Sequence, residues 1–490
     1  MSPLVSLLWT RSMTAGHRPY LRHARSERVL TYAGARRSAD RWAGLLEDLG
    51  VAPGAAVGVV VSDPLDFSAV FLGVMASGRV VAPLDPNAPD AELAAACARL
   101  DVAAVIGDRR PAVGARTDWV VLPPGTFELD EGAGSGAAQP TVGHRGGGGL
   151  LLGTSGTTGT PKRIRLGEAQ LLHTAGCVVT HHRLSVADRG FCPLPLFHVN
   201  AEVVGLLATL AAGATLVVDE RFHRTGFWDL MARHRVTWVN AVPAILARLT
   251  PLRSGESVPS GIRFARSASA PLPVAVLERF EDATGVPVVE TYGMTEAGSQ
   301  ITANPLSGPR KPGSVGLPVG IELRVVTEPA STPPVAGPVE IRGPGVVTGT
   351  EQWLVTGDLG YLDDDGYLYL AGRVDDVINR GGEKIFPREV EEVLLADPGV
   401  VAAVVVGWEH EALGQVPVAY VVAEGVTGDG DRARAQEVVT RLQESCARLL
   451  SRSKHPAAFH VVHRLPAGAT GKVRRAAVSH DGAIYSVLAG

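Results

Sequence analysis

The chain has 490 residues, 46% hydrophobic and 20% charged, the balance of a globular enzyme with one large domain and a smaller one. A formal net charge of −4 excludes a general nucleic-acid binder, which needs a dense basic face against phosphates. No stretch reaches the roughly 18 apolar residues of a membrane span, residues 4–9 lack a basic start and a cleavage site, and Cys97, Cys177, Cys192 and Cys446 show no paired spacing, so a reducing, cytoplasmic setting is expected.

In chain order, helical spacing runs through residues 35–49, then a buried strand at 56–61, a helix at 67–76 and a short strand at 80–83. Strands without a polar face that alternate with helices predict an α/β fold whose sheet is covered on both sides. The stretch 131–149 is rich in Gly, Ala and Ser and reads as a connector. Its glycines precede the strand at 150–152, whereas a phosphate loop follows one. The alternation returns at 203–210 with 215–218, and at 227–234 with 236–240. Four prolines break 328–338. After a turn at Asp365-Gly366 and a strand at 367–370, a compact α+β unit follows. Its helices are expected at 387–395 and 433–450 and its strands at 400–406 and 416–422, with the boundary near 372–376.

The strongest chemical signal follows the strand at 150–152. Gly153, Thr154, Ser155, Gly156, Thr157, Thr158, Gly159, Thr160 and Pro161 lead to Lys162. Glycines let backbone N–H groups approach an oxyanion, hydroxyls add donors and the lysine adds charge, which together suit a polyphosphate. The spacing is not that of a Walker loop.

This run resembles the phosphate loop of the adenylate-forming superfamily, which includes acyl- and aryl-CoA ligases, peptide-synthetase adenylation domains and luciferases. Further matches follow in the family's order over nearly the whole chain. Thr291-Tyr-Gly-Met-Thr-Glu296 is similar to the adenine-and-magnesium motif. The resemblance implies that Tyr292 stacks on adenine beside Gly293 and Met294, that Thr295 meets the α-phosphate, and that Glu296 helps hold Mg²⁺. Ser269, Ala270 and Pro271 fall at the nucleotide site by the same resemblance. Asp358 matches the ribose carboxylate and suits it, because two oxygens can accept both hydroxyls. Arg373 matches a ribose or phosphate contact, Asp375 the hinge pivot, Gly381 and Gly382 a loop lining a thiol tunnel, and Lys472 the C-terminal catalytic lysine. The implied organisation is a large domain of mixed sheets flanked by helices (1–372), a hinge (373–376) and a small mobile α+β lid (377–490). The implied reaction uses ATP and Mg²⁺ to adenylate a small acid, then passes it to a thiol, with CoA as co-substrate. Negative charges meet when an oxyanion attacks the α-phosphorus, so positioning and charge compensation dominate such a reaction.

By the same resemblance the acid pocket comprises His198, Asn200, Ala201, Val239, Ser267, Ala268 and Ser299, with His198 also a catalytic candidate. The wording at 267–272 and 304–316 is nearest to oxalate-type CoA ligases, and the polar pocket disfavours a long fatty acid. The chain departs from the pattern at three places. Ser299 replaces a histidine of the oxalate type, Arg163 and Arg165 follow Lys162, and 349–353 is shorter than the usual insertion. Two other acceptor chemistries stay open at this point: loading of a carrier-protein thiol, and activation of nitrite to diazotise an aryl amine in secondary metabolism. So does a monomeric or homodimeric state.

Overall fold

The computed structural model describes residues 2–109, 118–121, 147–154, 162–327, 335–466, 473–479, 481 and 483–488. Among the described residues no helix is long and apolar enough to cross a membrane.

The largest sheet has nine strands. Six of them run parallel and adjacent, in the order Val288–Tyr292, Phe264–Ser267, Trp238–Ala241, Arg189–Cys192, Thr215–Val218 and Pro19–His23. Their apolar residues are buried on both faces, as a parallel sheet requires. A second sheet of six strands carries Ala56–Val60 and Val80–Pro83 near its centre and ends in the antiparallel pair Gly149–Thr154 and Lys162–Gly167. Helix Pro64–Ala76 is buried along its whole length. It starts where Asp63 accepts from the backbone N–H groups of Leu65 and Asp66. Gly73 lets helix Tyr32–Asp48 approach it, because a Cβ there would lie 2.5 Å from the Trp42 Cβ.

A four-stranded antiparallel sheet follows, formed by Glu322–Val325, Gly337–Arg342, Leu354–Leu362 and Leu368–Arg373. From residue 378 a separate sheet and core take over. Strand Val400–His410 pairs with Gly414–Ala423, and helices Pro387–Leu395 and Arg432–Leu449 pack against them through Val390, Leu394, Val439 and Leu442.

The elements expected from the sequence are present, with three differences. Residues 203–210 are not one α-helix: Asn200–Leu207 is a π-helix that continues as the α-helix Ala208–Ala212. Of the two expected breaks, 131–146 and 328–334 lie outside the described residues, while Gly149 and Gly337-Pro338 begin strands. The strand expected at 367–370 extends to Arg373, so Gly372 and Arg373 are β-structure, and Asp375 sits in the exposed single turn Val374–Asp376.

Candidate active site

Most of the sequence-derived candidates gather at one end of the nine-stranded sheet. Strands Arg189–Cys192, Trp238–Ala241, Phe264–Ser267 and Val288–Tyr292 are parallel, so their carboxyl ends share one edge. There the chain leaves into His198 and Asn200, into Ala268 to Pro271, and into Gly293 to Ser299. In open α/β sheets that edge is where ligands bind.

Two charged centres organise it. In the first, the Tyr292 hydroxyl donates to Asp358 Oδ2 at 2.5 Å, and Arg373 Nη1 lies 3.3 Å from Asp358 Oδ1. Burial first, and the neighbouring carboxylate next, push the Tyr292 hydroxyl well above its ordinary value, so it stays a donor. Asp358 lies in strand Leu354–Leu362 and pairs in register with Arg373 on the next strand. Antiparallel pairing alone therefore brings these two together.

In the second centre, Arg266 is fully buried. Its Nη1 donates to Asn200 Oδ1 at 2.9 Å and Asn240 Oδ1 at 3.2 Å. Its Nη2 donates to the Ser299 carbonyl at 3.2 Å and Gln300 Oε1 at 3.1 Å. Asn200 in turn donates to Ser269 Oγ at 3.2 Å. The π-helix that opens with Asn200 is a rare geometry that concentrates at functional sites.

Backbone strain sits at the same place. Five non-glycine residues have positive φ among the described residues: Asp101, Arg183, Arg235, Ser269 and Ser299. The first three are helix C-caps, where a left-handed residue is ordinary. Ser269 and Ser299, both at φ 72°, end no α-helix, and both touch the Arg266 network. Non-glycine strain of this kind clusters at ligand sites. Close approach shapes the turn between the two centres as well. A Cβ on Gly293 would fall 2.3 Å from the Ser299 carbonyl carbon and oxygen.

The remaining candidates fall into place around these centres. Thr295 and Glu296 form a partly exposed single turn, and the Glu296 carbonyl accepts from Val347 N. Met294 packs against the small apolar cluster formed by Ala297, Ile301, Ile341 and Val346. Ser267 and Ala268 are buried, and the Ser267 hydroxyl has no partner among the described residues. Ala201 and Val239 belong to the main core. His198 is mostly buried with Nε2 unpartnered among the described residues, and burial pulls it down to about 4, so it is neutral near pH 7. Lys162 pairs in register with Thr154 at the end of the edge hairpin and is exposed. Gly381 and Gly382, both at positive φ, are the exposed tip of the hairpin Ile378–Arg380 and Glu383–Ile385. Ser155 to Gly159 and Lys472 lie outside the described residues.

The pocket segments implied by the family resemblance, 239–243, 266–271 and 294–301, hold Asn240, Arg266 and Gln300 without giving any of them a role, and Glu290 lies outside those segments. Glu290 is buried on strand Val288–Tyr292, and burial raises it to about 8 even with Arg388 of the C-terminal unit nearby. A charged residue inside an apolar strand is the signal that could have found Arg266 and Glu290. Among the described residues no group of three or more His, Cys, Asp or Glu could hold a metal ion.

Comparison with known proteins identifies the family. The model of the AMP-binding enzyme covers residues 9–349, and the model of its C-terminal domain covers residues 389–472. The chain belongs to the AMP-binding enzyme family. It is 36% identical to the sulfoacetate–CoA ligase of Cupriavidus necator, with 96% of each chain covered. It is 33% identical to the oxalate–CoA ligase of Arabidopsis thaliana, over 96% of this chain and 95% of the relative. Among solved structures it resembles the O-succinylbenzoate coenzyme A synthetase of Bacillus subtilis in complex with ATP and magnesium ion. That match has a TM-score of 0.80 at 27% identity and covers 96% of this chain and 98% of the other. The α/β architecture is that of the adenylate-forming superfamily, and the chain is an AMP-forming ligase of the acid–CoA type.

Proposed function

We propose that this ligase adenylates a short polar acid at the Arg266 end of the sheet and transfers it to CoA. The carrying observation is that the polar pocket residues leave the same strand ends as Tyr292, whose hydroxyl holds Asp358 with Arg373 beside it. Asp358 would accept the ribose hydroxyls, Arg373 would stay paired beside it, and Tyr292 would present its ring to adenine. Lys162 and the loop before it would take the outer phosphates, and Lys472 would supply positive charge where the acid attacks. Residues 373–376 would serve as the hinge for the unit 377–490, with the Gly381–Gly382 tip turned toward the thiol in the second half-reaction.

Mg²⁺ fits the donor set. It binds through one or two carboxylates, with phosphates and waters completing its shell. Glu296 offers one partly exposed carboxylate on the turn next to Thr295. When bound, the ion would offset phosphate charge. The shared thioester chemistry of the relatives favours CoA over a carrier-protein thiol or an amine acceptor.

ATP–pyrophosphate exchange with Mg²⁺ and no CoA tests the reading across short carboxylates, sulfonated acids, aromatic acids and nitrite. Exchange with a short acid, followed by a thioester once CoA is added, is expected. Exchange with nitrite alone, and no thioester from any acid, would overturn it.

A further inference from the structure

Arg266 holds a full positive charge inside the protein without an anion. Among the described residues its partners are four neutral oxygens, no carboxylate pairs with it, and its Nε has no partner. An isolated buried charge is expensive, and folds normally pair it. Burial lowers Arg266 only to about 9, so it remains a cation at neutral pH. The imidazoles of His181 and His182 add no second positive charge to it. His181 and His182 are both pushed down, by burial first and by Arg266 next, and so stay uncharged.

The guanidinium also dictates how its neighbours point. It can only donate, so Asn200, Asn240 and Gln300 must each turn their amide oxygen toward it. Their NH₂ groups face away. That of Gln300 donates to the Thr302 carbonyl at 3.1 Å, and that of Asn240 to Asn200 Oδ1 at 3.3 Å. The Asn200 NH₂ points to Ser269, at the rim. The edge thus meets a ligand with the Asn200 NH₂ group and a positive field, beside the unpartnered hydroxyl of Ser267 and the uncharged His198.

We propose that Arg266 is a positioning residue that sets the substrate class: through Asn200 and its own field it selects short acids bearing a second anionic group. The proposal rests on the adenylation reading above. In that reading one carboxylate goes to the α-phosphorus and is compensated there. A second anionic group, carboxylate or sulfonate, would supply the counter-charge that Arg266 lacks.

The test is pyrophosphate exchange with oxalate, malonate and sulfoacetate against acetate and propanoate, for the wild type, Arg266→Met, Arg266→Lys and Asn200→Asp. The wild type is expected to favour the doubly anionic acids by at least about tenfold in kcat/KM. Arg266→Met should bring that ratio near one, mostly through KM for the acid, with KM for ATP within about threefold. Arg266→Lys should recover part of the ratio. If Arg266→Met does not fold, Asn200→Asp tests the same point, because its carboxylate neutralises the guanidinium in place. An unchanged ratio, or equal losses for both acid classes, would mean a purely structural arginine and overturn the proposal. Exchange by the wild type with singly charged acids alone would also overturn it while leaving the adenylation reading standing. Thermal stabilisation by the doubly anionic acids without any exchange, lost in Arg266→Met, would support Arg266 and overturn adenylation.

Discussion

Asp358 and Arg266 both reach the segment that leaves strand Val288–Tyr292, one through Tyr292 and the other through Ser299 and Gln300, yet they are satisfied in opposite ways. Asp358 already has a cation and a phenol, and its side chain is only 13% exposed. A ribose arriving there must share or displace the partners that hold the carboxylate. Among the described residues Arg266 has neutral acceptors and no anion. A ligand anion near it would complete its charge balance. A pre-paired centre favours orientation of an uncharged group, and an unpaired one favours recognition of charge.

The sharpest way to break this contrast is to delete the paired centre. Asp358→Ala should lower exchange kcat/KM by roughly 10²- to 10⁴-fold, because two hydrogen bonds to a charged group at about 1.5–3 kcal/mol each are lost. The loss should appear in KM for ATP and leave selectivity among acids intact. Tyr292→Phe keeps the ring and removes only the hydroxyl, freeing one carboxylate oxygen, and its KM for ATP should stay within about threefold. A shift in acid selectivity from Asp358→Ala would show that the two centres are one site.

A smaller effect is expected where the centres meet. In Gly293→Ala the new Cβ would lie 2.3 Å from the Ser299 carbonyl, so the turn from 293 to 299 must move. Overpacking of that kind costs roughly 1–3 kcal/mol. Both KM values should rise, with kcat/KM down about tenfold and a lower melting temperature. A change confined to KM for ATP would mean that this turn does not join the two centres.

How far each centre could be read from the sequence follows the same division. The motifs that carry Tyr292, Asp358 and Arg373 are short and local, and two of the three residues face each other across neighbouring antiparallel strands. Strand patterning was equally plain, since 56–60 and 80–83 hold no polar side chain, as a sheet covered on both faces requires. The Arg266 network has no local signature. Its partners Asn200 and Asn240 lie 66 and 26 residues away, and only the order of strands in the sheet brings them together. The π-helix was hidden for a different reason. Asn200–Leu207 is buried all round, so its side chains show no period from which a wider turn could be told from an α-helix.

The smallest effect concerns His198, whose neutrality leaves Arg266 as the buried cation of the pocket among the described residues. Its value falls from 6.5 to about 4 because burial outweighs the pull of Asp85. Between those two pH values the unfolded chain binds a proton that the folded chain refuses, so stability rises with pH there and is lost as pH drops toward 4. The full span corresponds to about 3 kcal/mol. His198→Gln should flatten the denaturation midpoint between pH 4 and 6.5 relative to the wild type. Exchange activity should show no limb between pH 6 and 8 that disappears in the variant, and kcat/KM for the acid should fall no more than about fivefold. A limb near pH 6.5 that vanishes in His198→Gln would make the histidine a second cation, and the contrast between one paired and one unpaired charge would then need a third member.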